Sequence, residues 1–124
     1  MKIKVQDLIG PALDWAVAKC NGREIHYYVD DPFKREPWLV FDGIADMPLH
    51  AYTPSTDWAQ GGPIIERECI AVSCIHTTGY TPNTWDAKHP QRVYANGPTP
   101  LIAAMRCYVA SKLGDEVDVP EELK

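Results

Sequence analysis

The stretch TPLIAAMRCYVASKLG, residues 99–114, constrains the fold more than any other part of the chain. Thr99 is a strong helix N-cap, Pro100 suits the first helical position, where a backbone N–H has no partner to lose, and Gly114 supplies the stop. The helix so defined is apolar on nearly every side, with Arg106 its only charge before Lys112. Such a helix has no solvent face, so it has to be surrounded, by the rest of the chain or by a second subunit. With 124 residues, 45% of them hydrophobic, the chain can bury roughly two thirds of its unfolded surface in one core. We expect a single globular domain over residues 1–124 that ends in an acidic tail, 115–124.

Elsewhere the elements are shorter. A first helix is expected over about residues 7–20, capped by Asp7 and stopped by Asn21-Gly22. Leu13, Ala16, Val17 and Cys20 follow its helical spacing, and Pro11 falls harmlessly in the first turn. REIHYYV, residues 23–29, reads as a strand. Between residues 30 and 62 prolines and glycines recur too often for long elements, although PWLVF (37–41) suits a short strand. A connection of that length is usually functional or mobile, and the aromatics Phe33, Trp38, Phe41 and Tyr52 predict that it packs down. Pro63 can open a short helix through PIIERE, CIAVSCI (69–75) suits a central strand, and TWDAKH (84–89) its hairpin partner across TTGYTPN. Val117 and Val119 can pin the tail. The fold class is α+β: a small antiparallel sheet of about three to four strands with the N- and C-terminal helices packed on one face.

The net charge of −5 and pI near 5.2 argue against duplex nucleic acid, which is held by clustered Lys and Arg. The element order resembles that of double-stranded RNA-binding domains, but the acidic balance and the lack of a Lys-rich helix start count against that function. No window approaches the roughly 20 apolar residues of a membrane span, and the N-terminus has no signal-peptide pattern, so a cytoplasmic protein is expected, without membrane partners. The cysteines Cys20, Cys69, Cys74 and Cys107 contain no CxxC pair and read as reduced core thiols.

Chemistry-bearing residues are few. Arg106 lies among Ile102, Ala103, Val109 and Ala110 at helical spacing and requires a partner: an internal carboxylate such as Glu66, Glu68 or Asp57, water reached along its stem, or an anionic ligand gripped by the guanidinium. In STDWAQGGPIIERE, residues 55–68, Trp58 offers a stacking face, and Gly61-Gly62 would leave free N–H groups at the start of a Pro63 helix. The competing reading is a core tryptophan beside a turn. Trp85, Tyr80, Tyr94 and the NGP turn (96–98) line the other side if the aromatic loops converge, and stacking between such rings suits a base. The candidate ligand-binding set is therefore Trp58, Gly61, Gly62, Trp85, Arg106, Asp57 and Glu66. Cys69, Cys74 and His76, with His26, His50 and His89 elsewhere, lack zinc spacings, so neither a metal nor a cofactor is expected. Cys74 and His76 share a strand face, but no orienting third residue accompanies them.

LDWAVAKCNG, STDWAQGGPIIERE and GPTPLIAAMRCYVASKLGDEVDVPEEL together resemble the NinX-like family of small bacteriophage and prophage proteins. The likeness covers both ends and the centre; residues 29–49 and the turn near Gly79 are less characteristic. It brings no activity and no catalytic residue, but it implies a setting, an infected or lysogenic bacterial cell, in which small accessory proteins antagonise host defence. Three functions follow as expectations. The first is a non-enzymatic homo-oligomer that sequesters a small anionic, nucleotide-type ligand. The second is an antagonist that binds a host protein through the acidic tail and the aromatic loop. The third is a small hydrolase using Asp57, Glu66 or Cys74 with His76.

Overall fold

The computed structural model describes residues 1–27, 32, 33, 37–41, 43–75 and 84–123. His76, the whole TTGYTPN turn (77–83) with Tyr80, and the end of the strand expected at 23–29 lie outside the described residues. The fold is α+β, as expected. Among the described residues three helices, α1 (Gly10–Cys20), α2 (Trp58–Glu68) and α3 (Pro100–Leu113), accompany eight short strands: β1 (Lys2–Lys4), β2 (Glu24–His26), β3 (Trp38–Phe41), β4 (Ile44–Pro48), β5 (Ala71–Ile75), β6 (Thr84–His89), β7 (Val93–Gly97) and β8 (Glu116–Asp118). These strands form three small antiparallel sheets in place of one, with orders β1-β8, β2-β3-β4 and β5-β6-β7.

The helix that has to be surrounded is at the centre. Thr99 Oγ1 accepts the Ile102 N–H at 3.1 Å, Gly114 closes the helix at φ +87°, and every residue from Leu101 to Val109 is buried. Cover comes from the inner face of β5–β7, from α1 and from the 3-10 turn Val5–Asp7. The pairs Trp85↔Gly97, Ala87↔Ala95 and His89↔Val93 share that inner face, whereas Lys88, Tyr94 and Asn96 point to the other, because strand side chains alternate. A single chain therefore satisfies the all-apolar helix without help from a second subunit.

Several boundaries differ from expectation. Asp7 ends the 3-10 turn and does not cap α1; Leu8 is buried and draws the chain inward, and the helix starts at Gly10, with Pro11 in its first turn as expected. Among the described residues β5, within CIAVSCI, is an edge strand paired with β6 alone, and Cys69 stands outside it as the exposed left-handed residue (φ 55°) that closes α2. Of the four aromatics expected to pack down, Tyr52 is buried and Trp38 partly so, but Phe33 and Phe41 are exposed. The tail is pinned as expected: Val117 and Val119 are buried, and β8 pairs with β1.

The largest shift is in α2, which begins at Trp58, a turn and a half before Pro63. The turn Thr53–Asp57, in which the Thr56 and Asp57 N–H groups both donate to Thr53 O, delivers Asp57 as cap, and its carboxylate accepts the Ala59 N–H at 3.0 Å. Gln60 locks this corner by accepting the Thr53 N–H and donating to Ala51 O and Asp57 Oδ2. No helix among the described residues is long and apolar enough to cross a membrane.

Candidate functional site

The early start of α2 changes what the glycine pair can do. Gly61 N–H already donates to Asp57 O at 2.9 Å, so the pair lies inside the helix and offers no open N–H groups to an anion. Gly61 serves close packing instead: a Cβ there would fall 2.3 Å from Pro54 O and 2.6 Å from Leu101 Cδ2. Asp57 is the cap, Glu66 is exposed on the same helix, and Trp58 is 57% exposed at its first turn. Trp85 packs partly buried on the inner sheet face, opposite in direction to Tyr94, so these two aromatics do not converge.

Arg106 is 9% exposed, and none of the ion pairs among the described residues includes it. Its Nε donates to Leu8 O at 2.9 Å and its Nη1 to Asn96 O at 3.0 Å. Burial lowers the guanidinium pKa, with the Asp7 charge opposing that shift. The side chain acts as a staple between the N-terminal segment and β7. Three cavities lined by described residues include none of Asp57, Trp58, Gly61, Gly62, Glu66, Trp85 and Arg106.

A polar network joins the ends of the helices. Tyr108 Oη donates to Asn21 Oδ1 at 2.7 Å, Arg67 Nη2 donates to both, and Asn21 Nδ2 donates to Tyr52 Oη. Burial pushes the Tyr108 hydroxyl up to about 12, so it stays a neutral donor. Beside it, Glu68 Oε1 lies 3.1 Å from His89 Nε2, while His89 Nδ1 accepts the Gln91 N–H. That acceptor role puts the proton on Nε2 and makes the imidazole the donor to Glu68. With both ring nitrogens engaged and the ring buried, His89 holds β6 against α2.

Open chemistry gathers between the N-terminal segment, β7 and the end of α3. A cleft of about 560 Å³ there is lined by Lys4, Gln6, Arg92, Tyr94, Asp115 and Glu116 over a floor that includes Val5 and Val93. That volume is in the range of small-molecule sites. Arg92 adopts φ +64° where its N–H donates to His89 O to close the β6–β7 hairpin, a conformation non-glycine residues seldom take. Lys88 Nζ lies 5.6 Å from the Tyr94 ring centroid. The Arg106 staple fixes the relative position of two walls, since Leu8 follows the turn carrying Gln6 and Asn96 follows Tyr94. Gln6 Oε1 reinforces it by accepting the Asn96 N–H at 3.4 Å.

Fold and cleft define a small α+β protein with a charged, aromatic-edged groove at the meeting of its N-terminal segment and a β-hairpin. The chain belongs to the bacteriophage family described as Bacteriophage P22, NinX, whose model matches residues 4–112. No curated protein matches the chain. Of the cleft residues, only Tyr94 stood out in the sequence as a candidate for ligand contact; Ala110 appeared there as a neighbour of Arg106 and Asp115 and Glu116 as part of the acidic tail, and Lys4 and Arg92 were not singled out. Arg92 carried one local signal, its place after Pro90 in a turn that joins two strands.

Proposed function

We propose that this chain is a non-enzymatic binding protein that holds a small anionic ligand of nucleotide type in the cleft of Lys4, Arg92 and Tyr94. The observation that carries this reading is the presence of two cations and an exposed aromatic ring on one 560 Å³ cleft. Lys4 and Arg92 take the phosphate, the ring of Tyr94 takes the base, and Asp115 and Glu116 accept hydrogen bonds from sugar hydroxyls or base amines. In an infected cell the consequence is withdrawal of a nucleotide signal from host defence. Native mass spectrometry of the purified protein, alone and with a pool of cyclic nucleotides and NAD-derived signals, tests it and reads the subunit count expected of a homo-oligomer. A discrete mass shift that disappears in Arg92→Glu/Tyr94→Ala is the expected result. No shift, or a shift undiminished in that variant, overturns it.

A second reading is favoured by the β3–β4 hairpin, where Phe41 and its cross-strand partner Ile44 are both exposed, Ile44 at 72%. Such clustering suits a protein partner. The acidic tail is less free to contribute, because β8 is paired and its valines are buried. Capture of a host protein lost in Phe41→Ser/Ile44→Ser, with nucleotide binding unchanged, selects this reading.

A further inference from the structure

A separate cavity of about 250 Å³ opens where α1 meets the 3-10 turns Leu49–Ala51 and Glu121–Leu123. Its walls are largely apolar, Pro11, Leu49 and Leu123 among them, and its polar side chains are Asp14, His50 and Thr53. The volume corresponds to roughly eight water molecules' share of liquid, enough for a short alkyl chain with a polar head.

Asp14 is the unusual member. It sits in α1 between the buried Leu13 and Trp15 and is itself 5% exposed. Ser55 N–H donates to its Oδ1 at 2.9 Å. The Ser55 side chain, 2% exposed, lies close enough to act on the carboxyl, yet its hydroxyl has no aligned hydrogen-bond partner among the described residues. None of the ion pairs among the described residues includes Asp14. Capping one main-chain N–H requires only a neutral acceptor, and a buried carboxylate is costly without an opposite charge. Burial pushes the Asp14 carboxyl up, and the Ser55 contacts pull it partly back.

We propose that this cavity binds a primary ammonium group on a short apolar chain, with the ammonium donating to Asp14 and the Thr53 hydroxyl and the alkyl chain against Leu49 and Leu123. The chemistry fits a free alkylamine or a lysine side chain presented by a partner, and it is independent of the nucleotide cleft. The probes are n-butylammonium, its neutral counterpart n-butanol, and N-acetyl-lysine methylamide, read by saturation-transfer NMR on the full chain. Expected is saturable n-butylammonium binding that n-butanol does not displace and that Asp14→Asn weakens at least about tenfold, the scale of a charged hydrogen bond. Leu123→Trp, which fills the cavity and leaves Asp14 in place, abolishes it and decides the matter if Asp14→Asn fails to fold. Arg92→Glu leaves it unchanged, which separates this site from the cleft. Binding of the lysine amide as well assigns the lysine source, and its failure beside bound n-butylammonium assigns the free amine. Absence of n-butylammonium binding, or binding that survives Leu123→Trp, overturns the proposal.

Discussion

Arg106 shows what one residue type in one environment can and cannot reveal. A single charge on an apolar helix demands a partner, and that much is readable from spacing. The partner's identity is not, because the acceptors are main-chain carbonyls 98 and 10 positions away. Arg106→Met keeps the stem's packing but leaves the Leu8 and Asn96 carbonyls without their charged donor, so urea unfolding should show a loss of about 2 to 4 kcal/mol. Glu68 gives a residue-level test with a pH sign. Burial raises its carboxyl, but His89, Arg67 and Lys112 outweigh that and hold it below its ordinary value of 4.5. A carboxylate held low in the folded state stabilises fully above the unfolded pKa, and the contribution fades as pH falls through the folded one. The stability gap between wild type and Glu68→Gln, followed by urea midpoints from about pH 7 to pH 3, should therefore narrow with acidity. A constant gap would mean that the ion pairs contribute nothing.

At the level of elements, α3 was legible end to end because cap, proline, apolar body and glycine stop all agree. The start of α2 was not, because two signals compete: Pro63 suggests a first turn, and Asp57 caps one earlier. The cap prevails since the Thr53–Asp57 turn and the Gln60 side chain fix it in place. A proline then stands inside the helix, where it normally costs about 3 kcal/mol by losing a hydrogen bond and crowding its neighbours. Gly62 relieves part of that crowding, since a Cβ on the residue before proline meets the ring in helical geometry. The adjacent glycines thus have different reasons to be there, and alanine separates them. Gly61→Ala drives a Cβ into Pro54 O and Leu101 and should cost about 2 to 3 kcal/mol in thermal or urea unfolding. At Gly62 a Cβ meets nothing outside the immediate chain, so the helix-propensity gain and the clash with Pro63 oppose each other, and Gly62→Ala should stay within about 1 kcal/mol of wild type. Equal losses at both positions would refute the close approach at Gly61.

Over the whole molecule, the long-range pairings were the least legible part. β1 and β8 are three residues each, too short to carry a pattern, and they meet only because the chain's two ends are brought together. The single sheet expected from sequence gave way to three, one of which is this pairing of the chain's ends. Where the ends meet, Val5 N–H donates to Asp115 O at 2.8 Å, Val119 N–H donates to Met1 O at 2.9 Å, and the N-terminal amine pairs with Asp118. That closure also sets the far wall of the cleft, through Asp115 and Glu116, although the family match ends at residue 112. The acidic tail is therefore part of the fold and of the candidate site, whatever its role in partner binding. Removing residues 115–124 takes away two buried valines worth about 1.5 to 3 kcal/mol each, against a total stability on the order of 5 to 15 kcal/mol. The shortened chain should melt about 10 °C or more below the full chain by circular dichroism and lose nucleotide binding together with stability. Charge-reversed Asp115→Lys/Glu116→Lys keeps the strand and should change ligand affinity with little change in melting temperature. A truncated chain that melts like the full one would show that the tail is an appendage to the fold.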